Sequence, residues 1–408
     1  MGMDTIQPIE LTRATGALTK RPYVPQEPLT CGQKVKRWFK KYFLEGQHLE
    51  EEAEAELQKL PENPTWEDLI FIKYRKFVAM LIPFTLMQTV WWMVAIRHNF
   101  FQWYPDYWHM PVTMILGSFV GGMTSEGSGA VAFPVMTLAL HIAPSIARDF
   151  SLMIQSCGMT SALMCVMFMK VKIETRAVIL GTLGAIPGFI IGVHFIDPLF
   201  TGPQKKMMFV AIWTSFAIAL GILNSQKRTT FKEIPDFCAW KAVVLFVTGF
   251  VGGVFDAFAG SGVDICIFSI ITLLFRVTEK TATPTTVVLK GVNAVIGFFY
   301  RAAMMGDISQ MAWTYFALSI PVSSVTGPVG SFLGSHLHRQ VVAALVYILE
   351  VIALIGFLCT KPTWQLIAVG GCIIFGGFVF FSFISKAGQN IMKTVEEKQL
   401  QERRQPNV

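Results

Sequence analysis

Apolar runs about twenty residues long recur from Lys76 to Ser385, and a run of that length, wound as helix, crosses the hydrocarbon of a bilayer. No water is available there to satisfy the backbone, so a chain spans only as helices or as a closed barrel. The runs are continuous rather than alternating, which argues against the barrel. Composition agrees: 53% of the residues are hydrophobic and only 15% charged, too few to keep a chain of this length in water. The expected class is an all-α polytopic membrane protein, with the lipid bilayer as its surroundings. The formal net charge of +7 sits in tails and loops, where orientation in a bilayer needs it. It gives no reason to expect a nucleic-acid partner.

The expected organisation is a cytosolic polar tail over residues 1–75, a membrane domain over 76–385 and a cytosolic tail over 386–408. Within the first tail, Gln33 to Leu60 reads as an amphipathic helix with a basic front at Lys34, Lys36, Arg37, Lys40 and Lys41 and an acidic rear from Glu50 to Glu56. It suits an anionic membrane surface or a solvated cap on the cytosolic face. No apolar segment follows a charged start, so no cleavable signal peptide is expected. The seven cysteines fall mostly inside apolar runs with no C-x-x-C spacing, as buried small hydrophobes do rather than disulfides or zinc ligands. Continuous spans are expected near Phe77–Ile96, Ser151–Met169, Ala177–Ile196, Met207–Leu223, Thr285–Met305, Ile308–Phe332, Val341–Cys359 and Trp364–Ile384. Trp91, Trp92, Trp103, Tyr104, Tyr107 and Trp108 crowd the far end of the first, like an interfacial belt.

Two further apolar stretches are broken near their middles by glycine. One, from about Val112 to His141, contains F-V-G-G at Phe119–Gly122 and a G-S-G turn at Gly127-Ser128-Gly129. The other, from about Val243 to Phe275, contains F-V-G-G at Phe250–Gly253 and G-S-G at Gly260-Ser261-Gly262. If each crossed fully, the basic loops at Lys170, Lys172 and Arg176 and at Lys227, Arg228 and Lys232 would lie outside, against the positive-inside rule. If each enters, turns at its G-S-G and leaves by the same face, both loops and both tails lie in the cytosol. Val112 to Met123 makes about 18 Å of helix, roughly half the hydrocarbon thickness, so a half-helix reaching the midplane is expected. The sequence that follows matches faintly: Ala147 and Ser151 with Ala282 and Thr286, Gln155 with Lys290, Gly158 with Asn293, and Lys172-Ile173 with Asp307-Ile308. Each unit, about residues 112–223 and 243–359, is then one re-entrant broken helix plus three transmembrane helices. An odd number of crossings turns the second upside down, giving an inverted repeat flanked by additional N- and C-terminal helices.

Paired interrupted helices of this kind mark a transporter's substrate site. Glycine lets the backbone turn and lets a ligand approach. The half-helix after each turn begins with free N–H groups and a positive dipole end, an oxyanion cradle. Gly127, Ser128, Gly129, Gly260, Ser261 and Gly262 are therefore candidate substrate-binding residues, the alternative being a glycine-mediated helix crossing. Lys290 lies mid-span, where a lysine is costly and marks function. It either attracts the anion or pairs with Asp256, Asp264 or Glu126. Gln155 and Asn293 can supply further donors, and Thr285 or Thr286 can share the lysine's face. Glu126, Asp256 and Asp264 make poor anion ligands but good proton carriers, and are candidates for proton coupling. Arg148, Asp149 and Arg301 read as interface anchors. No Walker A, H-E-x-x-H or dinucleotide glycine motif is present, so no catalytic residue, metal or cofactor is expected and any pumping draws on a gradient.

The second half reads Gly252-Gly253 through Gly262, then Ala282-Thr283-Pro284-Thr285, then Gly306-Asp307-Ile308. In these features the chain resembles the TauE/SafE sulfite-exporter family of membrane permeases, over roughly residues 110–385, in the manner of a eukaryotic member. The resemblance implies a secondary transporter for a small sulfur-containing anion such as sulfite, thiosulfate or an organosulfonate, whereas the residues alone reach only a small oxyanion. An anion channel with the same site, or a non-transporting scaffold acting through the N-terminal tail, are the other readings. A membrane enzyme would need a nucleophile–base or metal constellation that the sequence does not offer. The plasma membrane is expected rather than an organelle, with both termini cytosolic, and a second copy of the chain is a candidate partner in a homodimer.

Overall fold

The computed structural model describes residues 65–124, 126–225 and 230–404, together with Gly32. The expected helix from Gln33 to Leu60 and the loop residues Lys227 and Arg228 lie outside the described residues. Among those described, every regular element is helical and one isolated bridge joins Phe231 to Val277. Nine helices among them are long and apolar enough to cross a membrane, and two shorter apolar helices accompany them.

In chain order, α1 spans Arg75–Arg97, α2 His109–Met123 and α3 Gly129–Pro134, the last continued by a wide turn over Val135–Ala139. Then come α4 (Pro144–Phe168), α5 (Thr175–Ile191) and α6 (Gly202–Ser225). The second half repeats the order with α7 (Ala239–Ala259), α8 (Val263–Ser269, continued over Ile270–Leu274), α9 (Glu279–Phe299), α10 (Gln310–His336) and α11 (Arg339–Cys359). The last helix, α12, runs from Trp364 to Arg404, through most of the expected charged tail.

Both broken elements are hairpins. A Cβ on Gly252 of α7 would come within 2.5 Å of Val263 Cα at the start of α8. Residues eleven apart along one straight helix would be about 16 Å apart instead. A Cβ on Gly121 would likewise run into the Ser128 backbone. The outgoing limb of the second hairpin is the longer one: α7 has 21 residues, about 31 Å of helix, and is by length and composition a candidate span.

The ends of the hairpins can be placed by their contacts. Beyond α8, Phe231 N–H donates to Arg276 O at 2.9 Å and Thr278 N–H donates to Phe231 O at 2.8 Å. α7 thus starts and α8 finishes beside the 230–238 loop. That loop meets the α4–α5 loop through Lys172–Glu233 at 2.7 Å and through Ile234 N–H on Glu174 Oε2 at 2.8 Å. The basic loops therefore share one face. Arg75 at the start of α1 reaches Phe168 O there, and Arg276 reaches Ser385 O of α12. The first hairpin opens at the other end: His109 at the start of α2 and Phe150 near the start of α4 both pack on Tyr315 near the start of α10.

Small residues set the main crossings. α5 carries Gly181-x-x-Gly184-x-x-x-Gly188, and α10 carries Gly327-x-x-Gly330-x-x-x-Gly334. α5 packs on α7 of the second half, and α10 packs on α2 of the first. A methyl on Gly184 would overlap Phe246 O of α7, and one on Gly330 would overlap Phe119 O of α2. Backbones this close are what small-x-x-x-small spacing permits in lipid. Pro321 in α10 cannot donate to Ala317 O one turn back, and Trp91 Nε1 of α1 donates to that oxygen instead, at 2.6 Å. Trp91, one of the expected interfacial aromatics, is thus buried against the proline-containing α10. Phe133 of α3 stacks on Phe209, which stacks on Trp213, so α6 holds the first return limb by aromatic packing. The six described cysteines are all free, and three of them, Cys238, Cys359 and Cys372, lie exposed on the bundle rather than buried as expected.

Candidate functional site

The two G-S-G turns meet. Gly127 (φ 74°) and Gly260 (φ 73°) both take the left-handed backbone that glycine adopts at little cost. Ser261 Oγ of the second turn donates to Glu126 O beside the first, at 3.1 Å. A Cβ on Gly129 would lie 3.2 Å from Ser261 Cβ. Gln155 of α4 bridges the pair: its Nε2 donates to Gly260 O at 2.9 Å, while its Oε1 lies against Gly127. Glu126, Ser128, Gln155, Ser261, Asp264 and Lys290 are all buried, none more than 1% exposed.

Lys290 is not a lone charge. Its Nζ lies 2.9 Å from Asp256 Oδ1 and donates to Gly260 O at 3.1 Å. It ties α9 to α7 and to the second turn, and of the two readings left open by the sequence the ion pair is the one seen. The acids of the second hairpin also occupy the N–H groups that were expected to face an anion. Asp264 Oδ1 accepts from Gly262 N–H at 3.0 Å, and Asp256 Oδ1 from Val263 N–H at 3.5 Å.

Neither α3 nor α8 has a side-chain cap at its first residue, and the first hairpin differs in its unmatched polar atoms. Ser128 Oγ, Ser151 Oγ, Gln155 Oε1 and both Glu126 carboxyl oxygens are buried without a hydrogen-bond partner. Buried polar atoms are rarely left unmatched, and here they gather where the two turns meet. Thr286 and Asn293 are not brought to it. Thr286 Oγ1 donates to Thr283 O on its own helix, and Asn293 Nδ2 faces Thr182 Oγ1 of α5 at 3.0 Å. Thr285 is drawn instead to the α4–α5 loop, where its hydroxyl accepts from Glu174 N–H.

Arg148, Asp149 and Arg301, expected at an interface, form a buried network at the end where the first hairpin opens. Arg301 binds Asp149 through two parallel contacts of 3.0 Å and reaches Asp307. Arg148 joins Asp149, Asp197 and, two residues before the end of α7, Ala257 O. Lys205 closes the network on Asp197 at 2.7 Å. A cavity of about 440 Å³ opens beside it, lined in part by His194, Asp197, Arg301 and Asp307.

Glu350, near the middle of α11, is a further buried acid at 5% exposure, and the sequence reading missed it. A single acid in the most apolar of the candidate spans was the available signal.

The family model described as Sulfite exporter TauE/SafE matches residues 110–358. The match takes in α2 through α11 and stops short of α1 and α12. No curated protein and no solved structure matches the chain.

Proposed function

The chain belongs to the sulfite exporter TauE/SafE family of membrane transporters, and from that premise we propose that it is a secondary transporter carrying a small sulfur-containing anion, such as sulfite, thiosulfate or an organosulfonate, by alternating access with protons as the coupling ion. The observation that carries the reading is the meeting of the two turns in a buried cluster of unmatched polar atoms. The anion sits at the uncapped start of α3, on Ser128 Oγ and the adjoining backbone, with Ser261 and Gln155 at its margin and Lys290 behind. The charge count argues for protons. Three carboxyls, Glu126, Asp256 and Asp264, are buried around the turns with one lysine, Lys290, which pairs with Asp256. Two unit charges of like sign about 5 Å apart repel by about 3 kcal/mol at an effective dielectric of 20, so an anion enters readily only when protons enter with it.

The two halves are inverted repeats on this reading. They share one element order, their hairpins open at opposite ends, and their glycine crossings exchange partners. Such pairs rock around a fixed midplane site. The face with the basic loops is cytosolic by the positive-inside rule, and both tails leave from it.

Purified protein in liposomes, offered sulfite, thiosulfate, sulfate and sulfonates with and without a pH gradient, tests this. Saturable uptake of one sulfur anion, accelerated by the gradient and lowered in Ser128→Ala, is expected. Flux of none of them, or flux that does not saturate, overturns it. The Arg148–Asp149–Arg301 network acts as the latch that closes the end opposite the basic loops. In Asp149→Asn, a cysteine placed at Ser128 should react about fivefold faster with an impermeant thiol reagent from that side, as a shifted conformational population requires. An unchanged rate removes the latch.

A further inference from the structure

Glu350 stands apart from the ion pairs of the bundle. It lies on α11, which packs on α3 and its wide turn and on α6. Its Oε2 has no hydrogen-bond partner, and Glu350 and Asp264 are the charged groups that act on the Glu126 carboxyl. A cavity of about 210 Å³ between α6 and α11 has Glu350 on its wall, beside Thr214, Ile218, Tyr347 and Leu354. Thr214 Oγ1 and Trp213 Nε1 on the α6 side are also buried without partners. The charges nearby are accounted for. Tyr347 OH accepts from Asn224, and the lysines of α6 are held elsewhere, Lys205 by Asp197 and Lys206 by Thr137 O. The α3 limb brings no titratable side chain. Among the described residues no ion pair engages Glu350 or Glu126.

We propose that Glu350 is a second proton-binding carboxyl of the transport cycle, reached through the α6–α11 cavity and acting in tandem with Glu126 at the first turn. The proposal rests on the proton-coupled reading above and names its second site. An unpaired acid inside a span is expensive and marks a proton path. Two such acids that sense each other form one unit, because a proton bound at either removes a negative charge that opposes the other's ionisation. Each proton bound converts one carboxylate to a carboxylic acid and cancels one unit of charge beside the anion. No other bond changes. The cavity is lined mainly by apolar side chains, so a lipid-soluble reagent is expected to reach the carboxyl more readily than a water-soluble one.

Two measurements test this. Wild-type protein in liposomes is treated with dicyclohexylcarbodiimide, which adds to protonated carboxyls in apolar surroundings, and the α11 peptide is read by mass spectrometry. An adduct at Glu350 that grows as the pH is lowered, and is absent with a water-soluble carbodiimide, is expected. In Glu350→Gln, the ratio of flux with a pH gradient to flux without one should fall about tenfold, to near one, with partial recovery in Glu350→Asp. No adduct, or an unchanged ratio in Glu350→Gln, overturns the proposal, as does a wild-type flux indifferent to the gradient, which leaves anion transport itself standing. If no sulfur anion moves at all, the transport reading fails, and the pH-dependent adduct still decides whether Glu350 binds a proton. If Glu350→Gln does not fold, the wild-type adduct decides alone.

Discussion

Lys290→Ala is expected to abolish anion flux, and the double variant Lys290→Met/Asp256→Leu is expected to fold and still not transport. The single change strands Asp256, at 3% exposure, without its cation. Removing one partner of a buried pair costs about 3–5 kcal/mol, so the single variant confounds lost function with lost stability. The double variant separates them, because replacing both ions by apolar groups of similar volume is often neutral or stabilising. It also removes the donor on Gly260 O at 3.1 Å, although Gln155 Nε2 still reaches that oxygen at 2.9 Å. Thermal unfolding in detergent should therefore place the double variant near wild type and Lys290→Ala well below it, while flux through both drops at least about a hundredfold. Wild-type flux through the double variant would make the pair a strut between α9 and α7 and leave the anion to the first turn alone.

The spans and the hairpins were legible in the sequence because bilayer thickness and the cost of unsatisfied backbone leave few alternatives. Gly127 and Gly260 announced turns that only a left-handed residue makes cheaply. Matched F-V-G-G and G-S-G segments marked where both hairpins fold back. What escaped was pairing across the molecule. Nothing in the spacing says that Lys290 chooses Asp256, that Asp264 folds back onto Gly262 N–H, or that Asn293 turns to Thr182. Those choices depend on how helices distant in sequence are rotated against each other. Glu350 was missed for a different reason: it lies outside the glycine motifs, and it gains meaning only once α11 is packed on α3. The crossings of α5 on α7 and α10 on α2 were legible in principle, since Gly181, Gly184 and Gly188 repeat in the spacing of Gly327, Gly330 and Gly334.

That repeated spacing leads to the other large effect. Gly184→Leu and Gly330→Leu should each leave no recoverable folded protein, and should do so equally. At both sites the obstacle is a main-chain carbonyl oxygen, Phe246 O or Phe119 O, which no rotamer change can move aside. The helices would have to separate along their whole contact. Attraction between helices in lipid comes from close van der Waals packing, and that packing decays within about an ångström of added gap. The loss would spread from α5–α7 to the second turn, and from α10–α2 to the first, because α7 and α2 carry those turns. Gly371→Leu is the control: nothing lies within 4 Å of a Cβ there, and a helix-favouring residue at an open position should change stability by no more than about 1 kcal/mol. Size-exclusion profiles of the three variants in mild detergent read the outcome. A monodisperse peak from Gly184→Leu alone would show that α5 and α7 can part without cost, and the exchanged crossings would then lose their claim to hold the two hairpins tip to tip.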